Sequence, residues 1–112
     1  MELKRVVVTG LGALTPLGNT AEESWENLKA GKSGAGPITH FDASQFKTQF
    51  ACEVKGFDSA ALIDRKEARK MDLYTQYALA AAKMAIDDSG MDLEAVDKNE
   101  IGVVLGVGIG GI

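Results

Sequence analysis

Hydrophobic residues form short, nearly continuous runs close to both ends of the sequence. Val6–Val8 are β-branched and are followed by Gly10, and Ile101–Leu105 precede Gly106. Continuous apolar runs bounded by glycine are typical of strands that are buried on both faces of a sheet. The sequence therefore predicts two buried strands, and an α/β fold class.

Between these runs the pattern is helical. Thr20 and Glu23 have the spacing of a capping box, which predicts a helix that carries Trp25 and Leu28 and stops at Gly31. A loop rich in Gly, Ser and Pro follows at 31–46, and residues 47–57 have an extended pattern.

Two further helices are predicted, a short charged one from Ile63 to Lys70 and a long one from about Tyr74 to Ser89. Asp72 is the expected cap of the long helix, and Gly90 lies just past its end. The long helix is apolar almost all round, which is typical of a helix buried at the centre of a fold. We therefore expect the 112 residues to belong to a larger body or a tight oligomer.

Composition narrows the class of protein. The chain has 46% hydrophobic and 25% charged residues, which is ordinary for one globular domain, and residues 1–112 show no internal boundary. A net charge of -4 argues against bulk binding to nucleic acid. No apolar run approaches the roughly 20 residues of a membrane span, and we interpret the N-terminus as cytoplasmic.

The glycine loop, residues 106–111, has the spacing Gly106-x-Gly108-x-x-Gly111 of a dinucleotide-binding fingerprint. A true fingerprint needs a helix after the loop and an acidic residue about 20 positions further on, and the sequence contains neither. The pattern favours a tight turn at which chain segments pack closely. Ile109 is the large side chain within that turn.

Cys52 and His40 are the single cysteine and the single histidine. Cys52 lies in a predicted strand beside Glu53, without the base or helix N-terminus that activates a nucleophilic thiol. We interpret it as structural, although the sequence does not exclude a Cys52–His40 pair. One cysteine and one histidine also argue against a metal site.

The segment 65–70, RKEARK, is strongly basic within an acidic chain. On a helix Lys66, Arg69 and Lys70, here called the basic patch, fall at i, i+3 and i+4 and so share one face. This face is either a solvated helical surface or a docking patch for an acidic partner.

Five motifs, taken in order, resemble the N-terminal part of the β-ketoacyl-acyl-carrier-protein synthases, and of their elongating type II members in particular. The resemblance runs through all 112 residues, and GIGG is similar to type II rather than type I synthases. The motifs are RVVVTGLGALTPLGNT, AGKSG-x-GPITHFDAS, EVKGF, DRKEARKMD and GxGIGG.

The resemblance implies a thiolase-like, layered α-β-α-β-α fold, of which this chain is the opening part of the first half, and a homodimer. It implies a decarboxylative condensation in fatty-acid elongation, between an acyl thioester and malonyl-acyl-carrier-protein. No cofactor or metal is expected, because the thioester itself activates the acyl group. The family's catalytic cysteine, histidines and lysine match no position here, so the chain alone is expected to be inactive.

Two features do match functional positions of the family. Ile109 corresponds to the isoleucine that gates the acyl-chain pocket, and the basic patch corresponds to the docking site for acyl carrier protein. Val107 departs from the serine that is usual at its position. The alternatives are a non-catalytic carrier-binding or chain-length-factor-like partner, and a polyketide ketosynthase; a nucleotide-binding protein is a third class.

Overall fold

The computed structural model describes residues 3–111, which form three α-helices and one short antiparallel sheet. Single turns of 3-10 helix lie at Ser59–Ala61 and Lys98–Glu100. The principal elements are α1 (Ala21–Lys29), β1 (Gly36–Pro37), β2 (Phe50–Ala51), α2 (Arg65–Ala68) and α3 (Leu73–Ser89).

The described residues divide into two compact units. The first comprises Ala13–Asp58 and contains α1, β1 and β2. The second combines the residues up to Gly12 with those from Ser59 onward, and contains α2 and α3. This division reflects only how the backbone contacts cluster, and it does not test the prediction that residues 1–112 contain no internal domain boundary.

The start of α1 confirms the predicted cap. Thr20 Oγ1 accepts a hydrogen bond from the Glu23 N–H at 3.1 Å, which satisfies one of the free amides of the first turn. The Glu23 carboxylate reaches back one residue further than a capping box requires, and accepts from the Asn19 N–H at 2.8 Å. Gly31 follows the helix with a φ of 67°, a conformation that glycine adopts without steric cost.

The sheet is much smaller than the sequence indicates. Gly36 pairs with Ala51 and Pro37 with Phe50, and the Ile38 N–H donates to the Gln49 carbonyl at 3.0 Å. The extended segment predicted over 47–57 is therefore a strand only at β2. This antiparallel pairing brings together the two ends of the segment between Pro37 and Phe50.

The two predicted buried strands are absent from the described chain, and this prediction is wrong for this structure. Residues 6–8 and 101–105 form no ladder with any described segment. Val6 is 88% exposed and Val104 is 96% exposed. The physical reason is that a central strand needs neighbours on both edges to take up its backbone hydrogen bonds, and residues 3–111 supply none there.

Helix α3 ends where the sequence predicts but is not buried as predicted. Gly90 terminates it in the left-handed region, with a φ of 64°. Of its residues only Ala80 is fully buried, while Leu79 is 44% and Ile86 is 39% exposed. The buried apolar side chains of the described residues belong to three alanines, so the core is small: Ala43, Ala68 and Ala80.

Segment 10–12 packs backbone to backbone against the second half of α3. A Cβ on Gly12 would overlap the Ala81 carbonyl and come within 2.8 Å of the Ala85 nitrogen, and one on Gly10 would come within 2.7 Å of the Ser89 nitrogen. Between these glycines the Leu11 N–H donates to the Asp88 carboxylate at 2.8 Å. The two glycines are therefore required by close approach rather than by a phosphate.

We predict that Gly12→Ala destabilises the protein, because its methyl group has no space beside the α3 backbone. Overpacking of this kind costs about 1–3 kcal/mol in the free energy of unfolding. The measurement is the urea midpoint of each variant. Gly36→Ala is the matched control, since a Cβ there meets nothing within 4 Å; equal midpoints for the two variants would contradict the packing.

Candidate functional site

The basic patch lies on α2 and the turn that follows it. Asp64 caps the helix, accepting from the Lys66 N–H at 2.9 Å, and helical backbone geometry continues through Arg69. Ala68, on the opposite side of the helix, is buried, while Lys66, Arg69 and Lys70 are exposed. The sequence prediction that the three cations share one solvent-facing surface is therefore consistent with the position of each side chain.

The three cations of the patch differ in their partners. Lys70 Nζ pairs with Glu67 Oε1 at 2.7 Å, and both side chains are more than half exposed. Within residues 3–111, Lys66 and Arg69 take part in no ion pair given by the structure. Because an exposed pair contributes only about 0–1 kcal/mol, Lys70 can exchange Glu67 for another anion at little cost.

Gln76 of α3 fixes the end of α2, a role that the sequence did not reveal. Its side-chain Nε2 donates to the Ala68 carbonyl at 3.0 Å and to the Met71 carbonyl at 3.1 Å. The Ala68 carbonyl lies at the end of α2, where acceptors lack intrahelical partners, and Met71 lies in the turn between α2 and α3. No spacing rule identifies these partners, because Gln76 acts on backbone carbonyls that carry no sequence signal.

The glycine loop lies beside the first half of α3 and borders an apolar cleft of about 520 Å³. Ile109 is 78% exposed and is not among the residues that line this cleft. Gly110 has a φ of 80°, so the loop does contain the tight turn that the sequence favours. The lining residues are Tyr74, Thr75, Tyr77, Ala78, Leu105, Gly106, Val107, Gly108 and Gly110.

In the first unit, Glu53 holds the segment that follows β1. Its carboxylate accepts from the Thr39 hydroxyl at 2.7 Å and from the Thr39 N–H at 3.0 Å, and its side chain is only 13% exposed. These hydrogen bonds from Thr39 lower the pKa of Glu53, since they favour the ionised carboxylate. His40 Nε2 lies 3.9 Å from the same carboxylate.

Lys55 joins three stretches of the first unit through backbone carbonyls. Its Nζ donates to the Gly34 carbonyl at 2.8 Å, to that of Glu53 at 3.2 Å and to that of Pro16 at 3.5 Å. The Lys55 carbonyl in turn accepts from Asn19 Nδ2 at 2.9 Å. Lys55 therefore holds these three stretches of backbone together, a role that the EVKGF motif does not indicate.

The structure assigns no nucleophile or metal centre to Cys52 and His40. Cys52 is exposed and lies one residue beyond β2 rather than in a strand, while the nearest charged partner of His40 is Glu53. Residues 3–111 contain no group of three or more His, Cys, Asp or Glu side chains that could hold a metal ion. No helix within the same residues is long and apolar enough to cross a membrane.

The sequence matches the family described as "Beta-ketoacyl synthase, N-terminal domain" over residues 3–112. The chain therefore belongs to the β-ketoacyl synthase family, as its motifs predict. The match covers nearly the whole chain, including the basic patch and the glycine loop.

The chain is similar to several curated proteins that share one name. The chain is 49% identical over all 112 residues to the "3-oxoacyl-[acyl-carrier-protein] synthase 2" of Synechocystis sp., and 51% identical to the protein of that name from Vibrio cholerae. The Staphylococcus aureus protein is 45% identical over 109 residues. The chain spans about a quarter of the length of these relatives, 27% of the first two and 26% of the third.

A solved structure supports the fold. "The ishigamide ketosynthase/chain length factor" matches with a TM-score of 0.72 and 42% sequence identity, over 79% of this chain and 22% of that one. The match confirms that the described chain is structurally similar to part of a thiolase-like ketosynthase fold. The complete α-β-α-β-α layering is not formed by residues 3–111, which contain only β1 and β2 as paired strands.

We predict that Glu53 contributes stability that depends on pH. Its pKa is lowered below 4.5 in the folded protein, so the contribution is present above about pH 4.5 and is lost as the pH falls through the folded pKa. The difference in unfolding free energy between the wild type and Glu53→Gln should therefore shrink in acid. The measurement is the urea midpoint at pH 6 and at pH 3.

Glu94→Gln provides the control for this pH series, because Glu94 is 87% exposed and pairs only with Lys98 among the described residues. We expect its urea midpoint to follow the wild type at both pH values. The same difference between wild type and Glu53→Gln at both pH values would show that ionisation of Glu53 does not contribute to the stability of the folded state.

Proposed function

We propose that the protein carrying this chain is a 3-oxoacyl-[acyl-carrier-protein] synthase that extends acyl chains by decarboxylative condensation in the cytoplasm. The observation that carries the proposal is 49–51% identity over all 112 residues to relatives of that name. Identity at this level, with no part of the chain left unmatched, supports a shared reaction as well as a shared fold.

The proposed reaction proceeds in two stages. An acyl group passes from the thiol of acyl carrier protein to an enzyme cysteine, and the carrier leaves with a free thiol. Malonyl-carrier-protein then loses CO₂, and its carbanion attacks the enzyme thioester. The new C–C bond forms as the C–S bond breaks, so the enzyme thiol is regenerated with a proton. We assign none of the groups that perform these steps to residues 3–111.

What this chain supplies, in our proposal, is recognition. The basic patch docks the acidic carrier protein, since Lys66 and Arg69 are exposed and without ion-pair partners on the described surface. Ile109 limits how far an acyl chain enters, and its position among glycines leaves it room to change rotamer. The homodimer belongs to the same proposal. The proposed chemistry needs neither metal nor organic cofactor.

A second candidate function is a non-catalytic chain-length-factor-like partner. The observation that favours it is the name of the matching solved structure, which includes a chain length factor. The two candidates differ in one measurable property, because a condensing enzyme forms an acyl-cysteine and a partner without a nucleophile does not. The intact mass after incubation with acyl-carrier-protein separates them.

We predict that the purified full-length protein condenses acyl- and malonyl-carrier-protein, and that Lys66→Glu with Arg69→Glu raises its KM for carrier substrates by about tenfold or more. Reversing two charges replaces attraction to an acidic partner by repulsion. The kcat for small thioester substrates should stay unchanged, since they do not use the docking surface. Steady-state rates with both substrate types provide the measurement.

The control for this double variant is Lys47→Glu with Lys98→Glu, which changes the net charge equally outside the basic patch. An equal rise in KM for both double variants would assign the effect to overall charge. Absence of condensation by the wild type with any carrier substrate would overturn the proposed function itself.

We predict that Ile109→Phe shortens the acyl chains that the full-length enzyme accepts. The larger, stiffer side chain would reduce the space that Ile109 vacates when its rotamer changes. The measurement is kcat/KM for a series of acyl-carrier substrates of increasing length. Ile109→Leu, which conserves volume, should keep the wild-type profile; an unchanged profile for Ile109→Phe would end the gating assignment.

A further inference from the structure

The basic patch lies on a helix that is too short to be stable through its own hydrogen bonds. Helix α2 has four residues, Arg65–Ala68. Isolated helices shorter than about 12–15 residues are marginal in water, because the first turn orders several residues in return for one hydrogen bond. The backbone of the patch must therefore be held in place by groups outside α2.

The two ends of α2 are held in different ways. At its start, Asp64 accepts from the Lys66 N–H at 2.9 Å, which is a bond between near neighbours in sequence. At its end, Gln76 Nε2 donates to the Ala68 carbonyl at 3.0 Å and to the Met71 carbonyl at 3.1 Å. Gln76 is half-buried and belongs to α3, a helix of 17 residues. The end of α2 is thus tied to a much longer helix.

The two carbonyls that Gln76 binds lie on either side of Arg69 and Lys70. The Ala68 carbonyl belongs to the peptide group that precedes Arg69, and the Met71 carbonyl follows Lys70 by one residue. The Met71 N–H also donates to the Ala68 carbonyl, at 3.2 Å, which closes the turn. One side-chain amide therefore holds both ends of the short turn that carries two of the three cations of the basic patch.

We propose that Gln76 is a positioning residue for carrier docking, which holds the backbone of Arg69 and Lys70 against α3 and so presents both cations to the acidic carrier protein in a fixed place. The inference rests on the proposed docking function of the basic patch and adds to it the residue that orders the patch. Gln76 has no charge and acts without touching the carrier. Its contribution is to reduce the conformational freedom that the turn would otherwise lose on binding.

The test variant is Gln76→Met in the full-length enzyme. Methionine has similar length and helix propensity but no N–H group, so the change removes both hydrogen bonds and leaves α3 intact. We expect KM for carrier substrates to rise about three- to tenfold, which corresponds to the net contribution of one typical hydrogen bond. The kcat for the same substrates should stay within about twofold of the wild type. Steady-state rates provide both values.

Ionic strength separates positioning of the cations from any other disturbance. Because Gln76→Met changes no charge, an effect that acts through Arg69 and Lys70 must weaken as salt screens their attraction for the carrier. We expect the ratio of the two KM values to be largest near about 0.05 M salt. It should fall below about twofold at about 1 M salt, where the Debye length is about 3 Å. The same ratio at both salt concentrations would overturn the proposal.

A double-mutant cycle tests whether Gln76 acts through these two cations. In the background of Arg69→Ala with Lys70→Ala, Gln76→Met should change KM by less than about twofold, since the groups that it positions are gone. Additive effects on KM would contradict a positioning role, because a general loss of stability does not depend on these cations.

The chain offers a matched control in Gln49. Its Nε2 likewise donates to two nearby backbone carbonyls, at 3.2 Å and 3.4 Å, but in the unit that lacks the basic patch. Gln49→Met should keep the wild-type KM for carrier substrates. An equal rise in KM for Gln49→Met and Gln76→Met would overturn the proposal. If Gln76→Met proves insoluble, Gln76→Asn replaces it, since an amide one methylene shorter does not reach both carbonyls.

The possible failures are distinguishable. If the wild type condenses no carrier substrate, the proposed function fails first. If the wild type is active but charge reversal at Lys66 and Arg69 leaves KM unchanged, the docking role of the basic patch fails, and that of Gln76 fails with it. If charge reversal raises KM while a folded Gln76→Met keeps the wild-type KM at low salt, the role of Gln76 is overturned and the docking patch stands.

Discussion

The second unit depends on how closely a backbone can approach α3. Gly10 and Gly12 lie against the carbonyls and amides around Ala81 and Ala85, at distances that exclude even a methyl group. Small residues on both sides replace the interlocking of large side chains that most cores use. A helix that accepts a neighbouring chain in this way must have alanines on the facing surface, as α3 does.

The same helix organises the two regions to which we assign recognition. Its first turn binds the end of α2 through Gln76, and Tyr74 in the same turn lines a cleft together with the glycine loop. The basic patch and the glycine loop thus lie next to the same end of one helix, which is about 25 Å long from its 17 residues at 1.5 Å each. A change in α3 is therefore expected to reach both regions, although neither contacts the other directly in our proposal.

Local signals in the sequence predicted the helices well. Thr20, Gly31 and Gly90 act within one turn of chain, so their roles follow from capping and from left-handed backbone geometry alone. The strands were not predictable in the same way, because a strand is defined by its neighbours. Residues 6–8 and 101–105 have the composition of central strands, but the described chain provides nothing for them to pair with.

The site followed a similar division. The sequence drew attention to the basic patch and to Ile109 because they lie in distinctive motifs, and the roles assigned to them stay predictions. It did not identify Gln76 or Lys55 as organisers, because each acts on backbone carbonyls that carry no side-chain signal. Asp72 was interpreted as a cap, a common role before a helix, but its side chain makes no capping hydrogen bond to α3.

The exposed apolar surface fits the family assignment better than it fits an independent small domain. An isolated domain of this size buries about two thirds of the surface of its unfolded chain around one core. Among residues 3–111 the buried apolar residues are three alanines, while Val6, Val103 and Val104 are more than 80% exposed. Apolar runs that are exposed in this way mark surfaces that pack against other protein. The chain matches 27% of the length of a relative from Synechocystis sp., so that relative contains polypeptide beyond the matched part. Within residues 3–111 the runs 6–8 and 101–105 have no ladder partners, and their apolar side chains are exposed because no described segment covers them.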